Sequence, residues 1–156
     1  MAPKNIVLKG DPIRKEYAAG GTVTPGFLLT WDGSGDLVHH DVAGGLASPM
    51  FAVEQDFLSD NIDEDYASGD EVQYVVGRPG DEIYAMLGDG ETVSTGDFLE
   101  SNGDGRLREH VPQSAGSDGS LDNNEEIVAR QIVARVLEAG DTSGSPTETR
   151  IRVEVL

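Results

Sequence analysis

Residues 20–40 read GGTVTPGFLLTWDGSGDLVHH, and residues 90–110 read GETVSTGDFLESNGDGRLREH. Laid on each other without a gap, at an offset of 70, nine of the 21 positions are identical: Gly20/Gly90, Thr22/Thr92, Val23/Val93, Gly26/Gly96, Leu29/Leu99, Gly33/Gly103, Gly35/Gly105, Leu37/Leu107 and His40/His110. A match of that density exceeds chance even in a chain with 20 glycines, so the two stretches mark an internal duplication. The shared residues suit a β-unit. Thr-Val opens a short extended stretch, and Pro25-Gly26 forms the central pair of a type II turn, Pro fixing the first φ and Gly accepting the second. Phe27–Thr30 and Phe98–Glu100 then read as strands. Asp32-Gly33-Ser34-Gly35 and Asn102-Gly103-Asp104-Gly105 are hairpin connections, and Leu37–His40 and Leu107–His110 return as partner strands.

Working outward, each hairpin is followed by a loop rich in Gly, Ser or Asn (Gly44–Ser48; Ser114–Asn124) and then by an apolar strand, Met50–Glu54 or Ile132–Glu138. Between the copies, Glu71–Val76 and Ile83–Leu87 flank Arg78-Pro79-Gly80-Asp81, which reads as a further hairpin. At the end of the chain Ile151, Val153 and Val155 alternate with Arg150, Arg152 and Glu154, the pattern of a half-buried strand. Asp122–Arg135 carries helical signals, acids first and arginines after. Its apolar positions fit neither period cleanly, so strand is expected from Ile132 with at most a short helix before it. The reading is a mainly β chain: a small β-barrel domain with an internal hairpin repeat at 20–40 and 90–110. Residues 1–19 read as an extended N-terminal arm, with a short strand at Asn5–Lys9, and 20–156 as a single β domain.

Hydrophobic residues make up 37% of the 156 and aromatics 6%, so the core is built of Val, Leu, Ile and Ala. No apolar run approaches the roughly 18 residues of a membrane span, and the N-terminus lacks the apolar block of a secretory signal. Cysteine is absent, which excludes disulfides and thiolate chemistry. Twenty-nine acids against 11 bases give a net charge of −18, which argues against binding nucleic acid or an anionic membrane, both polyanions. Three readings of the acids compete: a solvated surface suited to brine, a DNA mimic, and calcium loops. The scatter of acids through every turn favours the first, because salt screens their repulsion. The bases are uneven. Residues 1–15 hold Lys4, Lys9, Arg14 and Lys15 against Asp11, a net of +3, which leaves −21 on the other 141 residues. This basic stretch is either a frayed polar terminus or an arm that docks on an acidic partner.

No constellation for catalysis emerges. GxSxG, HExxH and phosphate-loop patterns are absent, and the expectation is a protein that is not an enzyme and has no cofactor or metal. Adjacent His39 and His40 point to opposite faces of a strand, so both cannot chelate one ion from it. A metal bridging the equivalent His40 and His110 is conceivable, but polar residues at hairpin ends account for them. The acids of Asp60–Asp65 lack the spacing of a calcium loop. Trp31, the only tryptophan, stands beside the first hairpin turn and is replaced by Ser101 in the second copy. It is a core lid or an interface anchor.

The stretch AGGTVTPGFLLTWDGSGDLVHHDVAGGLASPMFAVEQ (19–55) resembles the small capsid decoration, or cement, proteins of tailed viruses. The likeness lies in Gly20-x-x-Val23-x-Pro25-Gly26-x-x-Leu29, in the Ala/Gly-rich loop and strand that follow, in Gly69-Asp70-Glu71-Val72, in Glu91-Thr92-Val93 to Gly96-Asp97-Phe98, and in a final strand rich in Val and Arg. It runs from about Gly20 to Leu156. The resemblance implies a β-barrel or tulip-like fold, homotrimers at threefold positions of the shell, and an N-terminal arm clasping the major capsid protein. It thus implies a virion protein assembled in the host cytoplasm onto the capsid exterior, where it bridges capsomers, with Lys4, Lys9, Arg14, Lys15 and Trp31 as the expected capsid contacts. The chain departs from the family in its acidity, which points to a marine or halophilic host, and in an insert at Asp56–Ser68. The rival readings are a receptor- or glycan-binding fibre or spike module and a DNA-mimic inhibitor.

Overall fold

The computed structural model describes residues 2–55, 61–111, 131–144 and 149–156, and among these every regular element is a strand. In chain order they are β1 (Val7–Lys9), β2 (Ile13–Ala18), β3 (Leu29–Trp31), β4 (Leu37–His39), β5 (Met50–Ala52), β6 (Glu71–Val76), β7 (Glu82–Leu87), β8 (Thr92–Val93), β9 (Phe98–Ser101), β10 (Leu107–Glu109), β11 (Ala134–Val136), β12 (Gly140–Asp141) and β13 (Thr149–Val155). The possible helix before Ile132 falls largely outside the described residues.

β7, β10, β9, β11 and β13 form a closed, five-stranded mixed barrel, because β13 pairs back onto β7 over six residue pairs and β7 joins β10 in parallel at Leu87 and Leu107. Its interior is filled by Ile83, Ala85, Leu87, Leu99, Leu107, Ala134, Val136, Ile151 and Val153, all buried. Strand alternation sends these side chains inward and the intervening Tyr84, Arg135 and Arg152 outward.

The other strands repeat this ring. β2, β4, β3, β5 and β6 follow one another in the same order, joined by a parallel bridge at Ala19 and Leu37, an antiparallel bridge at Leu28 and Phe51, and the ladders β3–β4, β5–β6 and β2–β6. Individual hydrogen bonds match. Gly20 N–H donates to Leu37 O at 2.8 Å, as Gly88 does to Leu107 O at 2.8 Å. Gly26 N–H reaches Ala52 O at 2.8 Å, as Gly96 reaches Val136 O at 2.8 Å. Val53 N–H reaches Gln73 O at 2.9 Å, as Leu137 reaches Arg152 O at 2.9 Å, and His40 N–H reaches Leu28 O at 2.8 Å, as His110 reaches Phe98 O at 2.8 Å. The duplication visible over 21 residues therefore extends over both barrels. The turn glycines play the expected part: Gly26 and Gly96 sit at φ 97° and 100°, which a side chain would strain.

Two local expectations change. Arg78–Asp81 does turn, with Asp81 N–H on Arg78 O at 3.0 Å, but β6 and β7 do not pair across it. β6 belongs to the first barrel and β7 to the second, so this turn is the crossing between them. Residues 1–19, expected as an arm, supply β1, which pairs β7, and β2, which pairs β6 along its whole length. Ile6 is fully buried, and its N–H donates to the buried Glu54 carboxylate at 2.9 Å. Burial of one apolar side chain and a complete ladder outweigh the polar composition of this segment. The β-repeat forms two rings that share one buried cluster.

The barrels meet along a seam. The Gly26 turn lies on β7, where Met86 N–H donates to Gly26 O at 3.1 Å and Arg150 Nε to Pro25 O at 3.0 Å. Leu28 N–H donates to Gly105 O at 2.7 Å, and Gly44 N–H to Ser101 O at 2.8 Å. Leu28, Phe51 and Val75 of the first barrel are fully buried in the same cluster as Ile6, Ile83 and Val155. At Gly105 the approach leaves no room for a side chain: a Cβ there would stand 2.7 Å from the Phe27 ring and 2.8 Å from His39 Cβ, whereas one at the equivalent Gly35 meets nothing within 4 Å. Both glycines have positive φ, 80° and 94°, so backbone strain is common to them and only the contact differs. Gly105→Ala is therefore expected to destabilise the protein by about 1–3 kcal/mol more than Gly35→Ala, measured by urea unfolding of the two variants.

Candidate interaction surface

The outermost strand of the first barrel is β2. It pairs β6 on one edge, and among the described residues no strand pairs with its other edge over Ile13–Ala18. All six of its residues are exposed. Alternation puts Ile13, Lys15 and Tyr17 on the face that carries Val72, Tyr74 and Val76 of β6. Trp31 meets that face: its ring is 4.8 Å from Tyr17 and 6.4 Å from Tyr74, both edge-on, the arrangement that aromatic quadrupoles favour. Ile13, Tyr17 and Trp31 are 46%, 46% and 44% exposed, so this is an apolar, aromatic patch open to solvent, with Lys15 in it. Burial lifts the Tyr74 phenol above its ordinary range, with Tyr17 adding to the effect, so it stays a neutral donor at ordinary pH.

Of the five residues expected to make contact, the structure brings Lys15 and Trp31 onto this one face. Arg14 lies on the opposite face of β2. Lys9 sits on β1 against the second barrel, 3.1 Å from Glu82. Lys4 lines a hollow of about 630 Å³ with Ala2, Pro3, Asn61, Ile62, Asp63, Tyr84 and Arg150. Arg150 is the hub of that hollow, held by Asp63 at 2.9 Å and by the carbonyl oxygens of Pro25 and Ile62. This ties the loop around Asp63, considered above for calcium, to the second barrel. Asn61 Oδ1 accepts the Asp63 N–H at 2.8 Å, an Asx turn. Asp60 lies outside the described residues.

The histidines belong to the seam. His40 Nε2 donates to Leu46 O at 3.0 Å, and its Nδ1 is hydrogen-bonded with the Ser101 hydroxyl, 2.7 Å away. His110 instead donates Nδ1–H to Glu100 Oε2 at 2.6 Å, while Arg108 binds Glu100 Oε1 through Nε and Nη2 at 2.9 and 2.7 Å. The hairpin turn beside Trp31 is braced by Asp32. The Asp36 N–H above all, with those of Ser34 and Gly35, holds its carboxyl below the usual range.

Sequence reading singled out Trp31 but passed over Ile13, Tyr17, Phe98 and Val111, the last two 47% and 69% exposed on the second barrel. The available signal was the i, i+2 spacing of Ile13, Lys15 and Tyr17, obscured by the charges between them.

The sequence matches no protein-family model and no curated protein. Among solved structures the chain is similar to the N base of the head fibre gp8.5 of bacteriophage phi29, with 12% identity and a TM-score of 0.53 over 92% of this chain and 93% of that one. At that identity the likeness establishes a shared fold.

Proposed function

We propose that this chain is a virion structural protein that binds the outer surface of an assembled capsid and stabilises it by bridging capsomers. The observation that carries the reading is the fold shared with the base of a phage head fibre over more than nine-tenths of both chains. The partner is the major capsid protein, the assembly a homotrimer and the location the capsid exterior, and no catalysis is involved. The charge distribution supports docking. Lys4 and Lys9 are exposed near the N-terminus of a chain carrying −18 overall, which gives an approach to an acidic shell a direction. Many copies on one lattice make weak single contacts sufficient, and the acidic remainder suits a shell in brine, where salt screens self-repulsion.

Purified protein incubated with undecorated shells is expected to co-sediment saturably. The charge reversal Lys4→Glu/Lys9→Glu should weaken binding about tenfold or more at low salt and leave the unfolding midpoint nearly unchanged, since an exposed ion pair such as Lys9–Glu82 contributes little. Absence of co-sedimentation at every salt concentration overturns the reading. A receptor- or glycan-binding fibre module is the second reading, favoured by the aromatic patch of Tyr17 and Trp31. It predicts saturable binding to host-surface glycans by protein that does not bind shells.

A further inference from the structure

The seam inside the chain is asymmetric, and each barrel carries the half of it that the other uses. The first barrel gives the Gly26 turn, Leu28 and the loop at Gly44. The second receives them on β7 at Met86, on Gly105 and on Ser101. The duplication supplies both halves once more, and these stand open. On the second barrel the giving half, among the described residues, is Gly96, Phe98 and Val111. Leu28 is fully buried but its equivalent Phe98 is 47% exposed, with Val111 beside it at 69%. A Cβ on Gly26 would touch Tyr84 O at 3.1 Å, whereas one on Gly96 meets nothing within 4 Å. On the first barrel the receiving half is Ala18, Gly35 and Trp31, equivalent to Met86, Gly105 and Ser101. Met86 is fully buried and Ala18 exposed. Ser101 is buried under Gly44 and His40, whereas Trp31 is 44% exposed. Three of the eight large hydrophobic residues exposed among the described residues, Trp31, Phe98 and Val111, fall on these two open halves.

We propose that copies of this chain associate head to tail, the second barrel of one copy seating on the first barrel of the next through the contact that already joins the two barrels within each chain. The occupant of the open half at Ala18, Gly35 and Trp31 is thus the half at Gly96, Phe98 and Val111 of a second copy, and Trp31 moves from the capsid contacts to the subunit seam. Such a contact is heterologous, since the two surfaces differ, so it closes into a ring or runs on as a chain. It is more polar than the seam within the chain. Phe51 and Val75 are replaced at the equivalent positions by the ion pair of Arg135 and Glu154, which suits a contact made between chains that fold separately. The inference rests on the pseudo-symmetry alone and stands whether or not the protein binds capsids.

Because Trp31 is the single tryptophan, its emission reports the seam directly. The full chain is expected to grow in sedimentation mass with concentration while its emission shifts to the blue. Trp31→Glu removes the receiving half and Phe98→Glu the giving half, and each variant alone should remain monomeric. Mixed in equal amounts they retain one intact seam between them and should form a discrete dimer, and the emission of the Phe98→Glu copy should shift blue on adding the Trp31→Glu copy, which has no tryptophan. Circular dichroism checks folding. Ala18→Glu and Val111→Glu replace a variant that fails to fold. A full chain that stays monomeric up to millimolar concentration overturns the proposal. So does a single variant that still assembles, or a mixture that stays monomeric, which would mean a symmetric contact.

Discussion

Phe51→Ala is expected to lower the unfolding free energy by about 3–5 kcal/mol, the range for truncating a fully buried phenylalanine, and to lower the melting temperature on the order of 10 °C. Phe51 is on β5 and has no exposed surface. It belongs to the cluster shared by Leu28 and Val75 of the first barrel and by Ile6, Ile83 and Val155 from across the seam, so its loss opens a cavity between two structures rather than inside one. Leu28 and Val75 are anchored by their own ladders and cannot collapse into that space without moving a barrel, which places the cost toward the upper end of the range. The same position on the second barrel is Arg135, opposite Glu154 as Phe51 is opposite Val75. Arg135 is 43% exposed in its side chain, and Arg135→Ala should cost under about 1 kcal/mol, as for other solvated ion pairs. Urea unfolding of both variants, followed by circular dichroism at low protein concentration, checks the contrast. Equal costs would mean that the two repeat positions are equally buried.

Much of the fold was legible. The hairpins came from Gly-rich turns between apolar pairs, and β6 was read to the residue as the segment before the turn at Arg78–Asp81. The second barrel's last strand was evident from Ile151, Val153 and Val155 among arginines. The repeat was seen only over 20–40 and 90–110 because the copies run at one offset through the hairpins from Gly26/Gly96 onward; at the start of that stretch Gly20, aligned with Gly90, takes the place of Gly88 instead. Elsewhere the register changes: equivalent residues of β5 and β11 lie 84 apart, those of β6 and β13 lie 79 apart, and those of β2 and β7 lie 68 apart. Loop insertions cost little free energy, so they accumulate and erase a gapless alignment while the hydrogen bonds persist.

β2 could not be read as a strand because IRKEYA is charged and fully exposed. Its place is fixed by the ladder to β6, a long-range partner with no local signature. The surface was legible in part for a related reason. A lone Trp31 is conspicuous, but its neighbours Tyr17 and Tyr74 are 14 and 43 residues away in sequence and meet it only through the barrel. Equally, nothing in the sequence distinguishes Gly105 from Gly35, or Phe98 from Leu28. The difference arises when one barrel covers the other, and it is this difference that turns a repeat into a polarity.

Glu100→Ala is expected to destabilise the protein by about 2–4 kcal/mol. Glu100 is 4% exposed on β9, and its carboxylate is the single acceptor binding Arg108 at Oε1 and His110 at Oε2. Breaking a buried pair by removing one partner leaves the other charge uncompensated, which costs about 3–5 kcal/mol when both are sequestered. The Arg108 side chain is 34% exposed and recovers part of its hydration, hence the lower range. The carboxylate also supports the seam, since the loop of the first barrel packs so closely over it that a Cβ on Gly44 would stand 3.2 Å from Oε1. Glu100→Gln keeps the volume and one acceptor oxygen, so it should retain roughly half of the lost stability. A double-mutant cycle with Arg108→Ala separates the two contributions: coupling of about 1–2 kcal/mol is expected between Glu100 and Arg108. Coupling near zero would mean that Glu100 acts through His110 and the loop, not through the arginine.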